Sequence, residues 1–217
     1  MHLYGSPVSQ PTNKVRYTLQ FLEIPYEFHS MNLAAGDQKT PDYLKINPYG
    51  RIPAIDDNGF MLSESNAIMR YLASKSQSAI YPVDLHKRAK VDQWIDFATM
   101  HVLISIGRIM FNTYFYRFAK SEKDERSLQD GKKFIAQYLP IVDKQLSQSE
   151  HIAQQEFTLA DIAMLAPFDS CEYCNIDLTS YPNIMKWRTK LMSEPFYQNC
   201  KPAYKEVFEK ILAKNYS

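Results

Sequence analysis

The stretch NPYGRIPAIDDNGFMLSESNAI, residues 47–68, decides the fold of this 217-residue chain. Within it, residues 52–56 and 60–62 are short apolar segments on either side of the sequence DNG. An Asn-Gly pair between such segments is a strong signal for a tight hairpin of antiparallel strands. The following residues 63–65 (SES) have side chains that cap helices. The stretch therefore predicts strand, turn, strand and helix.

The chain before this stretch alternates between strand and helix. Residues 1–4 predict a short strand, and Pro11 suits the first turn of the helix that follows. Residues 26–31 predict a second strand, and residues 36–48 leave room for a short helix. The order is βαβ, then an irregular helix, then ββα. It describes a parallel pair of strands joined to an antiparallel hairpin within residues 1–80.

The pattern changes near residue 80. Residues 74–82 (SKSQSAIYP) are polar and end in proline, so they predict a linker. From there to residue 217 the apolar residues recur at helical spacing without convincing strand alternation. The predicted fold class is α/β plus all-α, with domains at 1–80 and 86–217. We predict helices over 91–118, 125–146 and 162–168, the last behind a capping box at Thr158–Asp161, and shorter helices after Pro182 and Pro202.

Composition excludes several classes of protein. A formal charge of +1 gives no electrostatic reason to expect nucleic acid or an anionic membrane as a partner. Residues 1–11 lack the features of a signal peptide. The most apolar stretch, residues 101–111, contains Arg108 and is expected to be too short to cross a bilayer. Three cysteines argue against a secreted disulfide framework, so we expect a cytoplasmic protein.

No metal site is predicted from the sequence. Cys171 and Cys174 form a C-x-x-C pair, but no second pair completes a zinc site. The five histidines show no ligand spacing. Residues 1–80 contain no cysteine, which excludes a mechanism based on a cysteine there.

Three segments resemble those of the cytosolic glutathione transferases. LYGSPVSQP (residues 3–11) resembles the N-terminus of the serine-type classes, theta and phi, and Ser9 has their spacing from Tyr4. NPYGRIPA (47–54) resembles the family's NP-x-G-x-VPA segment, and SESNAI (63–68) resembles its (E)S-x-AI segment. The resemblance implies a thioredoxin-like βαβ–ββα domain that binds glutathione. An all-helical C-terminal domain carrying the electrophile site would follow it.

The resemblance also implies an activity. We expect a glutathione transferase that conjugates the glutathione thiolate to small hydrophobic electrophiles, with peroxidase or dehalogenase side activities possible for a serine-type site. Glutathione would be a co-substrate, with no tightly bound cofactor. Tyr49 matches an aromatic position that inserts into the partner subunit in some classes, which suggests a homodimer. The alternatives are a non-catalytic interaction or regulatory module and a ligandin that stores apolar compounds.

Ser9 is the predicted catalytic residue. A free thiol has a pKa near 8.5, so a site that uses the thiolate must stabilise negative charge on sulfur. Ser9 lies in the turn entering the first helix, where free N–H groups and the helix dipole favour an anion. Its hydroxyl would donate a hydrogen bond to that sulfur. A plain helix cap is the alternative role, and Ser6 and Tyr4 are alternative contacts for the thiol.

The other predicted glutathione contacts follow from the resemblance. A cis Ile52-Pro53 bond would turn the Ile52 backbone towards the cysteinyl backbone of glutathione. Glu64 and Ser65 would hold the ammonium and carboxylate of the γ-glutamyl end. Three more positions complete the set: Lys39 and Arg51 as cations, and Gln38, which departs from the His–Lys pair of the phi class.

Phe111 and Phe115 are candidates for the electrophile pocket. They belong to the aromatic cluster FNTYFYRF at residues 111–118. A transferase needs an apolar surface near the thiolate, although core packing or a dimer surface would use the same residues.

Overall fold

The computed structural model describes residues 1–117, 119, 121–200, 204 and 206. Its first part is a four-stranded sheet with the order β2-β1-β3-β4. Strand β1 is parallel to β2 and antiparallel to β3, and β3 is antiparallel to β4. The predicted parallel pair and hairpin are therefore confirmed. The strands are β1 (His2–Gly5), β2 (Glu27–Ser30), β3 (Ala54–Asp57) and β4 (Phe60–Ser63).

The hairpin turn forms at the predicted Asn-Gly pair. Asn58 and Gly59 both have positive φ, 56° and 91°, which a tight two-residue hairpin turn requires at both central positions. Asp56 Oδ1 accepts a hydrogen bond of 2.7 Å from the Gly59 N–H. The turn fixes the register in which Ala54 pairs with Ser63.

Three helices accompany the sheet: α1 (Gln10–Phe21), α2 (Pro41–Ile46) and α3 (Ser65–Lys75). A short 3₁₀ turn, Asp37–Lys39, precedes α2. Helices α1 and α3 pack on one face of the sheet. The side chains buried between them and the sheet are Leu3, Val15, Leu19, Ile55, Ile68 and Leu72.

The rest of the described chain is helical. Helix α6 has the predicted bounds, and α7 begins at the predicted capping box. The predicted helix after Pro182 is present, and residues 204 and 206, which fall in the one predicted after Pro202, are helical, whereas its other residues lie outside the described part of the chain. The helices are α4 (Leu85–Phe97), α5 (Ile104–Met110), α6 (Glu125–Leu146), α7 (Leu159–Phe168), α8 (Pro182–Ser193) and α9 (Pro195–Gln198).

The boundary between the two parts differs from the predicted linker. Helix α3 continues to Lys75, so the connection begins later than residue 74 and runs to Asp84, the N-cap of α4. The polar Ser74 and Lys75 complete the last turn of α3, whose preceding residues Leu72 and Ala73 are buried in the core. The backbone carbonyl of Ile80 accepts a hydrogen bond of 2.9 Å from the Leu159 N–H, which ties the connection to α7.

The predicted helix over 91–118 is interrupted in its hydrogen bonding. The helical stretch runs from Leu85 to Phe115, and π-helical turns replace the α-helix over Ala98–Leu103 and Phe111–Phe115. Residue 118, its predicted end, lies outside the described residues. Such π turns insert an extra residue per turn and often occur at functional sites. Side-chain periodicity does not distinguish them from an α-helix.

This long stretch also corrects the expectation about membrane crossing. It has 31 residues and contains an 18-residue window with a mean hydropathy of 1.3, so length and composition alone would allow it to span a bilayer. Buried helices of globular cores meet the same criteria. Here Val91, Ile95, Val102 and Ile106 are fully buried in the core of the helical part. Core packing accounts for the 44% of that window that is buried.

Asp161 is the polar centre of the helical part. It is fully buried, and its carboxylate accepts hydrogen bonds from the Ile152 and Thr158 backbone N–H groups at 3.0 and 2.9 Å. The Trp187 Nε1–H donates to it at 3.0 Å, and His151 Nδ1 lies 3.3 Å away. The carboxylate thus joins α7 to α8 and to the segment before α7.

Candidate active site

Ser9 is the N-cap of α1. Its hydroxyl oxygen accepts a hydrogen bond of 3.3 Å from the Thr12 backbone N–H, and its backbone carbonyl accepts one of 2.9 Å from the Asn13 N–H. A serine hydroxyl has one donor hydrogen and two acceptor lone pairs. The cap uses one lone pair, so the O–H remains able to donate. The capping role and the thiol-stabilising role are compatible.

The loop before Ser9 lies very close to α1 because residue 5 is glycine. A Cβ atom on Gly5 would lie 2.7 Å from Thr12 Oγ1, closer than real Cβ contacts allow. The Ser6 N–H donates to the same Thr12 oxygen at 3.4 Å, and Asn13 Nδ2 donates to the Pro7 carbonyl at 3.1 Å. These contacts fix the direction in which Ser9 faces.

Ser9 opens onto a cleft with a volume of about 410 Å³. Five predicted site residues meet there, from three separate segments of the first 80 residues. The lining residues are Ser9, Leu33, Gln38, Lys39, Gly50, Arg51 and Ile52. Ser6 and Tyr4 are not among them. Ser6 is buried, and Tyr4 stacks on His29 and contacts the edge of Tyr43 within the sheet part.

Two cations border this cleft. The side chains of Lys39 and Arg51 have no hydrogen-bond, ion-pair or ring partner among the described residues. Gly50, with a φ of 59°, brings the backbone against Lys39, because a Cβ there would lie 2.7 Å from Lys39 Nζ. Gln38 donates from Nε2 to the Leu33 carbonyl at 3.4 Å. The cleft therefore presents unneutralised positive charge beside a helix N-terminus, which suits an anionic ligand.

The segment before Pro53 is held by side chains from α2 and its C-terminal end. The Arg51 carbonyl accepts hydrogen bonds from Tyr43 Oη at 2.6 Å and from Asn47 Nδ2 at 2.7 Å. The Ile52-Pro53 peptide is cis, as predicted. Ile52 itself lines the cleft. The backbone at this edge is thus fixed beside Ser9.

Glu64 and Ser65 follow β4 directly. Because Ser63 pairs with Ala54, they adjoin the Ile52 end of the cleft although they do not line it. Glu64 has a φ of 67°, in the left-handed region, and is exposed as the N-cap of α3 without a side-chain cap bond. Such strained non-glycine residues cluster at ligand sites. The buried Ser65 is the first residue of α3.

Lys14 was missed by the sequence analysis. It is buried in α1, and its ammonium donates to Asn66 Oδ1 at 2.7 Å and to Thr99 Oγ1, in a π turn, at 3.5 Å. The pKa of Lys14 is lowered to about 7, mainly by burial and also by the nearby Arg70, while Glu64 opposes the shift. The sequence gives no local signal that Lys14 is buried, because lysine side chains are rarely found in protein interiors.

The two predicted electrophile residues differ in position. Phe111 is 40% exposed, whereas Phe115 packs against the core of the helical part. Gln10, next to Ser9, donates from Nε2 to Met110 Sδ at 3.6 Å. This contact brings the start of the second π turn beside the Ser9 loop. A larger cavity of about 690 Å³ lies in the helical part. Its lining includes Ile109, Asn112 and Thr113 but neither Phe111 nor Phe115.

The helical spacing of the second half of the sequence predicts that Cys171 and Cys174 lie in a helical segment, but the structure places them in turns after α7. All three cysteines are buried and free. Burial raises the pKa of Cys174 to about 12, so its thiol is unsuited to nucleophilic attack. The histidines show no ligand spacing in the sequence, yet the fold brings His2 and His29 together with Glu27. The E-x-H spacing of residues 27–29 in a predicted strand was the available signal.

Comparison with known proteins identifies related sequences. Residues 1–74 match the family model described as "Glutathione S-transferase, N-terminal domain", and residues 99–195 match "Glutathione S-transferase, C-terminal domain". Glutathione S-transferase D7 of Anopheles gambiae is 30% identical over 194 residues, covering 88% of this chain and 86% of that protein.

Solved structures have the same fold. A delta-class glutathione transferase of Nilaparvata lugens has a TM-score of 0.80 and 33% identity, covering 92% of this chain and 92% of its own. An epsilon-class glutathione S-transferase from the housefly, Musca domestica, has a TM-score of 0.85 and 28% identity, covering 99% and 98%. The theta or phi assignment suggested by the motifs is not confirmed by these relatives.

Proposed function

We propose that this chain, which belongs to the glutathione S-transferase family and is a glutathione transferase, uses the Ser9 hydroxyl to stabilise the glutathione thiolate for addition to small hydrophobic electrophiles. One observation carries the proposal: Ser9 caps α1 in a cleft bordered by Lys39 and Arg51, whose side chains have no partner in the part of the chain that the structure describes. The family uses glutathione as its co-substrate, and we propose no tightly bound cofactor.

The Ser9 hydroxyl acts as a hydrogen-bond donor to sulfur and not as a nucleophile. On binding, the glutathione S–H bond breaks, its proton passes to solvent, and the Ser9 O–H and the α1 N-terminus face the resulting anion. The thiolate then forms a C–S bond with the electrophile, which expels its leaving group with the bonding electron pair. Preorganised donors lower the barrier because they need no reorientation during the reaction.

The rest of the tripeptide is oriented by groups along the cleft. Lys39 and Arg51 receive the glycyl carboxylate, with the Gln38 amide beside them. The backbone of Ile52, before Pro53, pairs with the cysteinyl residue. Glu64 binds the γ-glutamyl ammonium, while Ser65 and the N-terminal N–H groups of α3 bind its carboxylate. Support comes from the common cleft and from the adjacency of Ser63 and Ala54.

The electrophile is proposed to bind where the helical domain faces Ser9. The contact between Gln10 and Met110 supports this placement, since it puts the exposed Phe111 near the Ser9 loop. Phe115 is proposed to shape the pocket from behind, because it packs against the helical core.

Several wider assignments accompany this proposal. The proposed domains are residues 1–80 and 86–217, supported by the end of α3 at Lys75 and the start of α4 at Leu85. A homodimer is supported by the 66% exposure of Tyr49. We assign the protein to the serine-type transferases and to the cytoplasm, supported by the Ser9 spacing and by three buried free cysteines. Detoxification of reactive apolar compounds is the role typical of the family.

Two variants of Ser9 separate catalysis from capping. Ser9→Ala removes both cap and donor, and we expect kcat for a small chloronitroarene to fall about 10²-fold. Ser9→Asp keeps an oxygen that caps α1 but cannot donate at neutral pH. We expect it to fold normally and lose comparable activity. The glutathione thiol pKa in the binary complex, followed by ultraviolet thiolate absorbance, should rise in both.

The outcomes also distinguish the alternatives. Full activity in Ser9→Asp would reduce Ser9 to a cap and move the thiol contact to Ser6 or Tyr4. Wild-type protein that binds apolar compounds but turns none over would indicate a ligandin. Failure of the wild-type chain to bind glutathione at millimolar concentration would favour a non-catalytic interaction module.

A further inference from the structure

Three side chains converge on the sheet away from the cleft. His2 Nδ1 and His29 Nε2 lie 3.0 Å apart, and the two carboxylate oxygens of Glu27 lie 3.4 Å from these nitrogens, one from each. The three ligand atoms all lie within 4.8 Å of one another. None of these residues lines the cleft beside Ser9.

Sheet topology explains the convergence. In the parallel pair of β1 and β2, His2 is opposite Glu27 and Tyr4 is opposite His29. Side chains two residues apart in a strand share a face, so Glu27 and His29 project on the same side as His2. The Tyr4 ring stacks on His29 with centroids 4.6 Å apart and planes at 15°, which restricts the orientation of the imidazole.

We propose that His2, Glu27 and His29 form a Zn²⁺-binding site. Zinc takes histidine nitrogens and carboxylate oxygens at about 2.0–2.2 Å in tetrahedral geometry, which places neighbouring ligand atoms roughly 3.4 Å apart. The two imidazole nitrogens lie 3.0 Å apart, and each lies 3.4 Å from a different oxygen of Glu27, so either oxygen is already near the ligand spacing from one ring. With one oxygen as the ligand, all three ligand atoms lie within 4.8 Å of one another before any rearrangement. Two imidazoles and one carboxylate also match the donor preference of zinc. Water would complete the coordination.

Access and charge also favour a cation. The side chains of His2, His29 and Glu27 are 43%, 33% and 66% exposed, so an ion reaches them without opening the fold. Glu27 supplies negative charge between two rings that are neutral when they ligate a metal. Asp56, opposite His2 on β3, adds a second carboxylate to the same face. The site is independent of glutathione binding because it shares no residue with the cleft.

Titration with zinc tests the proposal. Metal-free protein without a polyhistidine tag is titrated with ZnCl₂ by isothermal calorimetry, in buffer without glutathione because its thiol binds zinc. We expect one Zn²⁺ per chain with a micromolar Kd. His29→Phe keeps a ring against Tyr4 but removes the ligand nitrogen, and should weaken binding at least about tenfold. Glu27→Gln, at an exposed side chain, should weaken it similarly.

His86→Ala is the matched control. His86 is an exposed histidine of α4, and its loss should leave the Kd unchanged. The proposal is overturned if wild-type protein shows no saturable binding, if His29→Phe and Glu27→Gln bind as tightly as wild type, or if His86→Ala weakens binding as much as they do. In the first two cases the three residues would form only a hydrogen-bonded cluster between strands. Far-UV circular dichroism checks that each variant is folded.

Discussion

Charged groups in the two parts of the molecule are in opposite situations. Lys39 and Arg51 border the cleft without a partner among the described residues, whereas the buried Asp161 accepts from two backbone N–H groups and an indole N–H. An unpaired charge at a cleft is available to bind a ligand. A buried charge whose hydrogen bonds are all made within the protein stabilises the fold instead. The difference separates residues that should affect binding from residues that should affect stability.

The largest expected effect is on stability. Asp161→Ala would leave the N–H groups of Ile152, Thr158 and Trp187 buried without their acceptor, and each orphaned donor costs about 1–3 kcal/mol. We expect the free energy of unfolding to fall by about 3–5 kcal/mol in urea denaturation. Asp130→Ala, at an exposed carboxylate 3.8 Å from Arg108, should change it by less than about 0.5 kcal/mol. An equal loss of stability in the two variants would mean that the buried Asp161 contributes no more to the fold than an exposed carboxylate.

Lys14 is an intermediate case between the cleft cations and Asp161. It is buried and hydrogen-bonded like Asp161, but burial disfavours its charged form. Its pKa is about 7 in the folded protein and about 10.4 unfolded. Between these values the unfolded chain binds the extra proton, so stability rises with pH. The wild-type free energy of unfolding minus that of Lys14→Met should increase on the order of 3 kcal/mol from pH 7 to 10.

Below about pH 6 this difference should be flat, because Lys14 is then largely protonated in both states. Urea titrations of the two proteins at matched pH values measure it, and other groups cancel in the subtraction. A difference that is constant across the whole range would mean that Lys14 keeps an ordinary pKa.

The unpaired cations should behave in the opposite way to Asp161. Lys39→Met and Arg51→Met each remove a charge that faces the ligand carboxylate, at a partly solvated site where such an interaction is worth about 1 kcal/mol. We expect KM for glutathione to rise about fivefold in each, with Tm unchanged. Lys45→Met, whose ammonium is already paired with Asp42 at 2.7 Å, should leave KM unaltered. A fall in Tm with no change in KM would assign the cations to the fold.

The smallest effect concerns the electrophile. Phe111→Ala should raise KM for the electrophile about threefold, since a partly exposed ring contributes less than a fully buried one. Thr113→Ala, two residues away at the larger cavity, should leave it unchanged. Steady-state kinetics at saturating glutathione compare the two. A larger effect from Thr113 would place the electrophile in that cavity.

Much of the fold was predictable because its signals are local. The Asn58-Gly59 turn, the Thr158–Asp161 capping box and the bounds of α6 each depend on neighbouring residues in the chain. Ser9, Arg51 and Ile52 were predicted as site residues from the motifs at residues 3–11 and 47–54, and Lys39 from its alignment with the phi-class pair. That Ser9, Lys39, Arg51 and Ile52 line one cleft agrees with this prediction, while their roles stay predictions.

Other features depend on residues far apart in the chain. Lys14 is buried only because Asn66 and Thr99 meet it from α3 and a π turn. The position of Phe111 relative to Ser9 depends on the contact between Gln10 and Met110, a hundred residues apart. The π turns themselves leave no mark in side-chain spacing, because the same apolar stripe continues through them.

The sequence by itself determined the order of elements, the hairpin, the capping residues and the candidate glutathione cradle. Those features rest on backbone preferences and hydrogen bonds between residues close in sequence. Only the tertiary structure decided which charges are unpaired, which lysine is buried, and that His2, Glu27 and His29 meet. Strand register and helix packing set these distances, and both depend on contacts summed over the whole core.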